Sequence, residues 1–275
     1  IALFAALIGK ATVSINAAWQ KRVNGMGNYE TLVGHTLVIG WHGETTEQIL
    51  DILKADTDLP DEVVLCVVKD MTNPRPGDLK FVRGESFSNA DVLKRAGIAG
   101  ASRIIIYDQS DERVATVALS AYSLKAPDAH IVAHCDNPHT AAMLRRTLPG
   151  IETTEALSIE MLVRSATDAG ISRVVNELLA VNHGATQYQT RLSGVPAGTT
   201  YGDLFFNAKR AFNVTVLGVS DHGNAGDVLN PPMDRRVKDG DVMFYMADTR
   251  LTQTQISALF GTVEFGIVDE GVATA

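Results

Sequence analysis

Short apolar runs recur along the first half of the chain, and most are followed by a stretch with apolar residues at helical spacing. His35–Ile39, Glu62–Val68, Leu79–Arg83, Arg103–Tyr107 and His130–Cys135 are the runs, with Ile151–Glu155 a last short one. Glu62–Val68 is almost continuously apolar, the pattern of a strand buried on both faces. The stretches between them predict helices over Thr45–Leu53, Asn89–Ala96, Asp111–Lys125 and Pro138–Thr147. Gly97 ends the second of these and Pro127 stops the third. Thr45 and Gln48 have the spacing of a capping box at the start of the first. Asp70–Asp78, with Pro74 and Pro76, is a loop. Strands alternating with helices imply an α/β unit with a parallel sheet and right-handed crossovers.

The pattern changes after Glu155. Ala156–Asp168 and Ile171–Val181 predict two helices around Gly170, a helical hairpin with apolar faces at Leu157, Met161 and Val163, then Val174, Leu178 and Leu179. Thr186–Phe265 is richer in β signals. Strands are predicted at Gln187–Leu192, Val214–Val219 and Val242–Met246, and helices at Tyr201–Ala211 and Thr252–Leu259. Turn-rich segments, Asp221–Asp227 and Asn230-Pro231-Pro232, separate them. The expected organisation is a parallel-sheet lobe over 35–155, a hairpin over 156–185 and a small α+β lobe over 186–275.

The N-terminus is apolar from Ile1 to Gly9, interrupted at Lys10, and small or apolar again over Ala11–Ala18. Spanning a bilayer takes about 20 apolar residues, so this run is too short alone. It predicts the end of a membrane helix over 1–22, with Trp19 at the interface and Lys21 and Arg22 on the cytoplasmic side. Ala2, Ala5, Ala6 and Gly9 would form a small-residue face suited to close helix packing. An amphipathic core helix and a signal-peptide remnant are the alternatives. Val23–Gly34, with Gly25, Gly27, Asn28 and Gly34, is expected to be a linker.

The net charge of -8 over 275 residues argues against general nucleic-acid binding and is compatible with binding cations. Cys66 and Cys135 lie inside apolar runs and are expected to be buried thiols of a reducing compartment. His35, His139, His183 and His222 show no ligand spacing and are expected at the surface or in loops.

Leu37–Gly43 is a strand running into a glycine turn, with Thr45 and Thr46 opening a helix. A strand, a turn and a helix N-terminus in that order make the ligand end of a Rossmann-type unit. A dinucleotide turn reads G-x-G-x-x-G, whereas here Gly40, Trp41, His42, Gly43, Glu44 and Thr45 follow one another. His42 and Thr45 replace the second and third glycines, which disfavours an ordinary dehydrogenase and favours a regulatory domain. On the nucleotide reading, Gly40, Trp41, His42, Gly43, Glu44 and Thr45 form the phosphate turn, Asp70 contacts the ribose, Gly84 closes the third strand and Asp108 lies at the end of the fourth. The alternative is an empty, structural turn. Alternation places Val132, His134 and Asp136 on one side of their strand. Asp108, His134 and Asp136 could then share a divalent cation. A histidine suits zinc better than calcium. The alternative is that Asp108 caps the helix at Asp111 and His134 is simply a satisfied polar residue.

Three groups of residues then coincide. Gly40-Trp41 closes the first strand. Phe81-Val82-Arg83-Gly84-Glu85 precedes a helix with Leu93 and Ala96, followed by Ala101-Ser102-Arg103-Ile104-Ile105-Ile106. Gly218-Val219, Asn230-Pro231-Pro232 and Val237-Lys238-Asp239-Gly240-Asp241 follow in order. Together, from about His35 to Met246, the chain resembles the RCK domain, the cytosolic regulator of potassium conductance in ligand-gated potassium channels and in Trk/Ktr uptake systems. The resemblance implies a gating domain without enzyme activity at the cytoplasmic side of the cell membrane. It implies an inner helix and linker at the N-terminus and pairing through the hairpin. It also implies a ring of eight RCK domains under a tetrameric pore that passes potassium. Members of the family bind NAD, ATP or ADP at the glycine turn, and calcium-sensing ones carry carboxylates at positions like 108, 134 and 136. The alternatives are a separate Trk/Ktr-type regulatory subunit and an NAD-dependent oxidoreductase. The last needs a proton-transfer pair, and Tyr122 and Lys125 lack the four-residue spacing that short-chain enzymes use.

Overall fold

Six parallel strands form the first sheet: β1 (Thr36–Ile39), β2 (Val63–Val67), β3 (Lys80–Arg83), β4 (Arg103–Ile106), β5 (His130–His134) and β6 (Glu152–Thr154). Their spatial order is β3-β2-β1-β4-β5-β6. Strand order therefore reverses between β1 and β4, where Ile39 lies opposite Ile106. The computed structural model describes residues 2–56, 62–87, 89–156, 158–180, 184–221 and 228–260. Two units divide the chain, Ile1–Val163 and Arg164–Ala275, and the division falls inside the segment assigned to the hairpin.

Side-chain alternation explains the two layers of the first unit. Leu37, Ile39, Cys66, Ile104, Ile106 and Ile131 face one side, under helices α3 (Ala90–Arg95), α4 (Asp111–Leu124) and α5 (Pro138–Thr147). Val38, Leu65, Val67 and Phe81 face the other, where α2 (Glu44–Ala55) contributes Leu50 and Leu53. Burying each such aliphatic side chain contributes about 1.5–3 kcal/mol. Asn89, Ser110 and Asn137 cap α3, α4 and α5 by accepting hydrogen bonds from backbone N–H groups.

The start of α2 differs from expectation. Gly43, not Thr45, is its N-cap, and no side chain caps it. Thr46 Oγ1 accepts instead from the His42 N–H at 2.8 Å. The cause is the turn, whose positive φ at residue 43 suits glycine and starts the helix two residues early.

Val23–Gly34 was expected to be a linker, and much of it is bolted to the sheet. Helix α1 (Ala2–Val23) ends where Gly25 takes a φ of +73°. The Gly25 carbonyl accepts from Arg83 N–H at 2.9 Å, and Met26 forms an antiparallel bridge with Val82. A Cβ on Gly25 would meet Arg83 Cβ at 2.5 Å, so only glycine allows this approach. Tyr29 N–H donates to Arg95 O at 2.7 Å, and Gly34 N–H to Gly100 O at 2.8 Å. Among the described residues no helix is long and apolar enough to cross a membrane.

His35 corrects a second expectation: it is fully buried, not at the surface. Its Nε2 lies 3.3 Å from Ala96 O, and Nδ1 has no partner. Burial pushes its pKa below the usual value, opposed by the Ala96 carbonyl. His139 is exposed, as expected. Cys66 and Cys135 are buried free thiols, also as expected.

The second unit carries a four-stranded sheet in the order β7-β10-β8-β9, built from β7 (Thr186–Arg191), β8 (Thr215–Ser220), β9 (Val228–Leu229) and β10 (Val242–Ala247). All its pairings are antiparallel. Helices α8 (Tyr201–Phe212) and α9 (Gln253–Ala258) supply core residues, each opened by a capping box, at Thr200 and Thr252. Tyr201 is buried with its hydroxyl donating to Val216 O at 2.9 Å. Helices α6 (Ser158–Thr167) and α7 (Ile171–Leu179) have no buried residue, and Ile159, Leu162, Val174 and Leu179 are all more than half exposed. Expectations for Leu157, Val181, His183, His222 and the rest of the turn over 222–227 lie outside the described residues.

Candidate functional site at the sheet reversal

The carboxyl ends of β1 and β4 diverge into turns on either side of the reversal, which is where an open α/β sheet leaves a crevice for a ligand. Gly40 closes β1 with a φ of +107°, and its N–H donates to Cys66 O at 2.9 Å. A Cβ there would stand 2.9 Å from the carbonyl carbon of Tyr107 and closer still to its oxygen. Gly40 is thus required by the approach of the β1 and β4 backbones. Gly43 has open space around it, so its demand is conformational. Thr46 and Glu47 N–H groups donate to Gly43 O, while those of Glu44 and Thr45 have no partner within the helix and belong to its positive end. Trp41 is partly buried and packs against the α2-side core. His42 and Glu44 are exposed.

Tyr107, which the sequence reading passed over, stands between two histidines. Its ring centroid lies 5.4 Å from that of His42 and 5.1 Å from that of His134. Aromatic residues just past the end of a strand next to the reversal are the signal that could have found it.

Asp70 is 98% exposed past the end of β2, and its carboxylate accepts from Arg83 at 2.5 Å. Gly84 N–H donates to Val67 O at 2.9 Å. A Cβ on Gly84 would meet Val92 Cγ1 at 2.7 Å, so this glycine lets α3 pack close to β3.

Asp108, His134 and Asp136 do not form the shared cation site that was expected. The Asp108 carboxylate is 5% exposed and is paired with Arg113 at 2.7 Å. His134 Nε2 lies 3.4 Å from Asp136 Oδ1, and its Nδ1 lies 3.1 Å from Thr154 Oγ1. Among the described residues no group of three or more His, Cys, Asp or Glu side chains could hold a metal ion. Asp108 does not cap α4 either. Ser110 does, and Asp111 instead accepts from the N–H groups of Asp136 at 3.0 Å and Asn137 at 2.8 Å.

With this geometry in place, the comparisons are informative. Residues 36–154 match the TrkA-N domain family. That match falls within the first unit and agrees with the resemblance read from the sequence. The human SLO3 gating ring superposes with a TM-score of 0.59 at 14% identity, covering 78% of this chain. This likeness shows the fold, and the chain spans only 44% of the length of that protein. The GsuK channel bound to NAD matches 92% of this chain and 44% of its own at 20% identity. The TrkA-N domain of the inner membrane protein ybaL from Escherichia coli matches 50% of this chain and 96% of its own at 18% identity. Their TM-scores, 0.43 and 0.39, are too low to carry an argument about this chain. No curated protein sequence matches it.

Proposed function

We propose that the chain is the cytosolic ligand-sensing domain of a potassium channel, and that an adenine nucleotide such as NAD, ADP or ATP binds at the sheet reversal. One observation carries the ligand reading. The free end of α2 opens at the reversal between β1 and β4, in a domain of the TrkA-N family. Glu44 and Thr45 N–H groups would receive phosphate oxygens, Tyr107 would offer a stacking face, and Asp70 would meet the ribose. Gly84 would shape the third strand's end, and Asp108, held by Arg113, the fourth's. On this reading binding alone carries the signal, and the domain is regulatory.

In this reading residues 1–22 end the pore's inner helix at the cell membrane, with the remainder cytoplasmic. Residues 23–34 connect it to the lobe over 35–155. The exposed apolar faces of α6 and α7, within 156–185, pair with a second copy, and the lobe over 186–275 completes the domain. Apolar surface of this extent on helices marks a protein interface. Eight such domains under a tetrameric pore would shift between two ring shapes, biased by whichever shape binds the ligand better. A Trk/Ktr-type subunit bound to a separate membrane protein is the second reading, favoured by the TrkA-N match itself.

Thermal and urea melting with NAD, NADH, ADP and ATP tests the ligand. Binding at a hundredfold excess over Kd stabilises by about 2.7 kcal/mol. Thr45→Asp should abolish the shift while sparing the fold, because an acid in the first turn suits the helix but repels a phosphate. A shift retained in that variant, or absent from the wild type with every nucleotide, refutes the reading.

A further inference from the structure

The β2–β3 loop is tied at one end to the ligand helix and at the other to the helix that enters the domain. Arg75 sits between Pro74 and Pro76, whose rings fix φ on either side of it. Its guanidinium pairs with Asp51 of α2 at 2.8 Å and donates to Glu47 O at 3.1 Å. Glu47 belongs to the first turn of α2, the turn whose N–H groups open at the sheet reversal. Lys54, near the end of α2, donates to Asp78 at 2.6 Å.

The other side of the loop holds α1. Asn73 N–H donates to Val23 O at 2.8 Å, on the last residue of that helix. The Trp19 ring edge stands over Gly77, 3.6 Å from where a Cβ would be. Asn73 joins the two sides. It is buried, its Oδ1 accepts from Arg75 N–H at 2.9 Å, and its Nδ2 donates to Leu79 O at 2.8 Å. A cavity of about 320 Å³ among Leu50, Leu53, Val63 and Leu79, and one of about 220 Å³ beside Trp19 and Val23, border the loop.

We propose that Arg75 is the positioning residue that carries movement of the α2 first turn through Asn73 to the end of α1, within a single protomer. A ligand whose anionic group draws the α2 turn inward draws the guanidinium with it. The proline-stiffened loop then shifts the Asn73–Val23 hydrogen bond and the Trp19 contact. One Nη reaches the Asp51 carboxylate and the other the Glu47 carbonyl, a fixed fork that the flexible point charge of a lysine does not reproduce. The proposal rests on the nucleotide reading above.

Hydrogen exchange of the peptide over residues 19–26, read in the whole protein with and without saturating ADP, tests it beside the melting shift. Expected is a change of at least threefold in exchange rate for the wild type. Arg75→Ala, Arg75→Lys and Asp51→Asn should lose that change while keeping the ADP melting shift. Asp51 is 68% exposed, so its variant folds even where Arg75→Ala does not. If the variants keep the exchange response, or the wild type binds ADP without one, the coupling is wrong and the nucleotide reading stands. If no nucleotide shifts the wild-type melt, both fall.

Discussion

Replacing Gly40 by alanine should destabilise the first unit by about 3–7 kcal/mol even with no ligand present. Three costs add. At a φ of +107°, an L side chain is strained by about 1–3 kcal/mol. The new Cβ would also meet the Tyr107 carbonyl, whose carbon is 2.9 Å away and whose oxygen is nearer. Both are backbone atoms of paired strands and cannot rotate aside, so β1 and β4 must part. Overpacking of this kind costs about 1–3 kcal/mol. Parting also loosens the Tyr107 N–H bond to Ile39 O at 3.0 Å, worth about 1 kcal/mol. Gly43→Ala is the control. It has a φ of +60° but nothing within 4 Å of its Cβ, so it bears only the conformational cost of about 1–3 kcal/mol. Urea unfolding by circular dichroism reads the difference as a change in midpoint at unchanged slope. A Gly40→Ala loss below about 1 kcal/mol, or one no larger than that of Gly43→Ala, would refute the argument. The turn glycine would then serve the ligand and not the strand packing.

His35 is held neutral by burial, so its folded pKa lies below its unfolded one. The unfolded state then binds the extra proton, and stability is full above about pH 6.5 and lost as pH falls toward the folded pKa. Urea midpoints between pH 7.5 and 5 should show that slope, and it should flatten in His35→Gln; an unchanged slope contradicts the assignment. Cys66, pushed up to about 12 by burial, should react with a disulfide reagent at pH 8 about a thousandfold more slowly than an unfolded thiol. Unfolding in urea should restore the rate, and a fast native reaction would mean that the β2 core opens. Leu179 is 71% exposed, so Leu179→Asp should leave the melting temperature within about 1 °C while weakening self-association at least tenfold in sedimentation. A variant that associates as the wild type does would place the pairing surface elsewhere.

Periodicity and punctuation determined the layout of the elements. The apolar runs at Leu37, Val64, Phe81, Ile104 and Ile131 are buried strands, because a strand covered on both faces has no polar side to show. Gly97 directly follows the C-cap of α3, and Pro127 lies three residues past the end of α4, each limiting its helix through its own backbone. The glycine turn at Gly40 was legible for the same local reason. Long-range approach decided the rest. The sequence places His35 beside a glycine-rich stretch, yet Ala96, distant in the chain, closes over it and makes it a core residue. Thr45 and Gln48 have capping spacing, but the φ at Gly43 starts the helix first. Asp111, at the start of α4, reaches across to the N–H groups of Asp136 and Asn137, more than twenty residues away. Glycine-rich Val23–Gly34 has linker composition, but β3 supplies an edge for it to pair with. Local backbone preference is written in neighbouring residues, whereas charge partners and strand-edge contacts are set by whichever distant groups the fold brings within hydrogen-bonding reach.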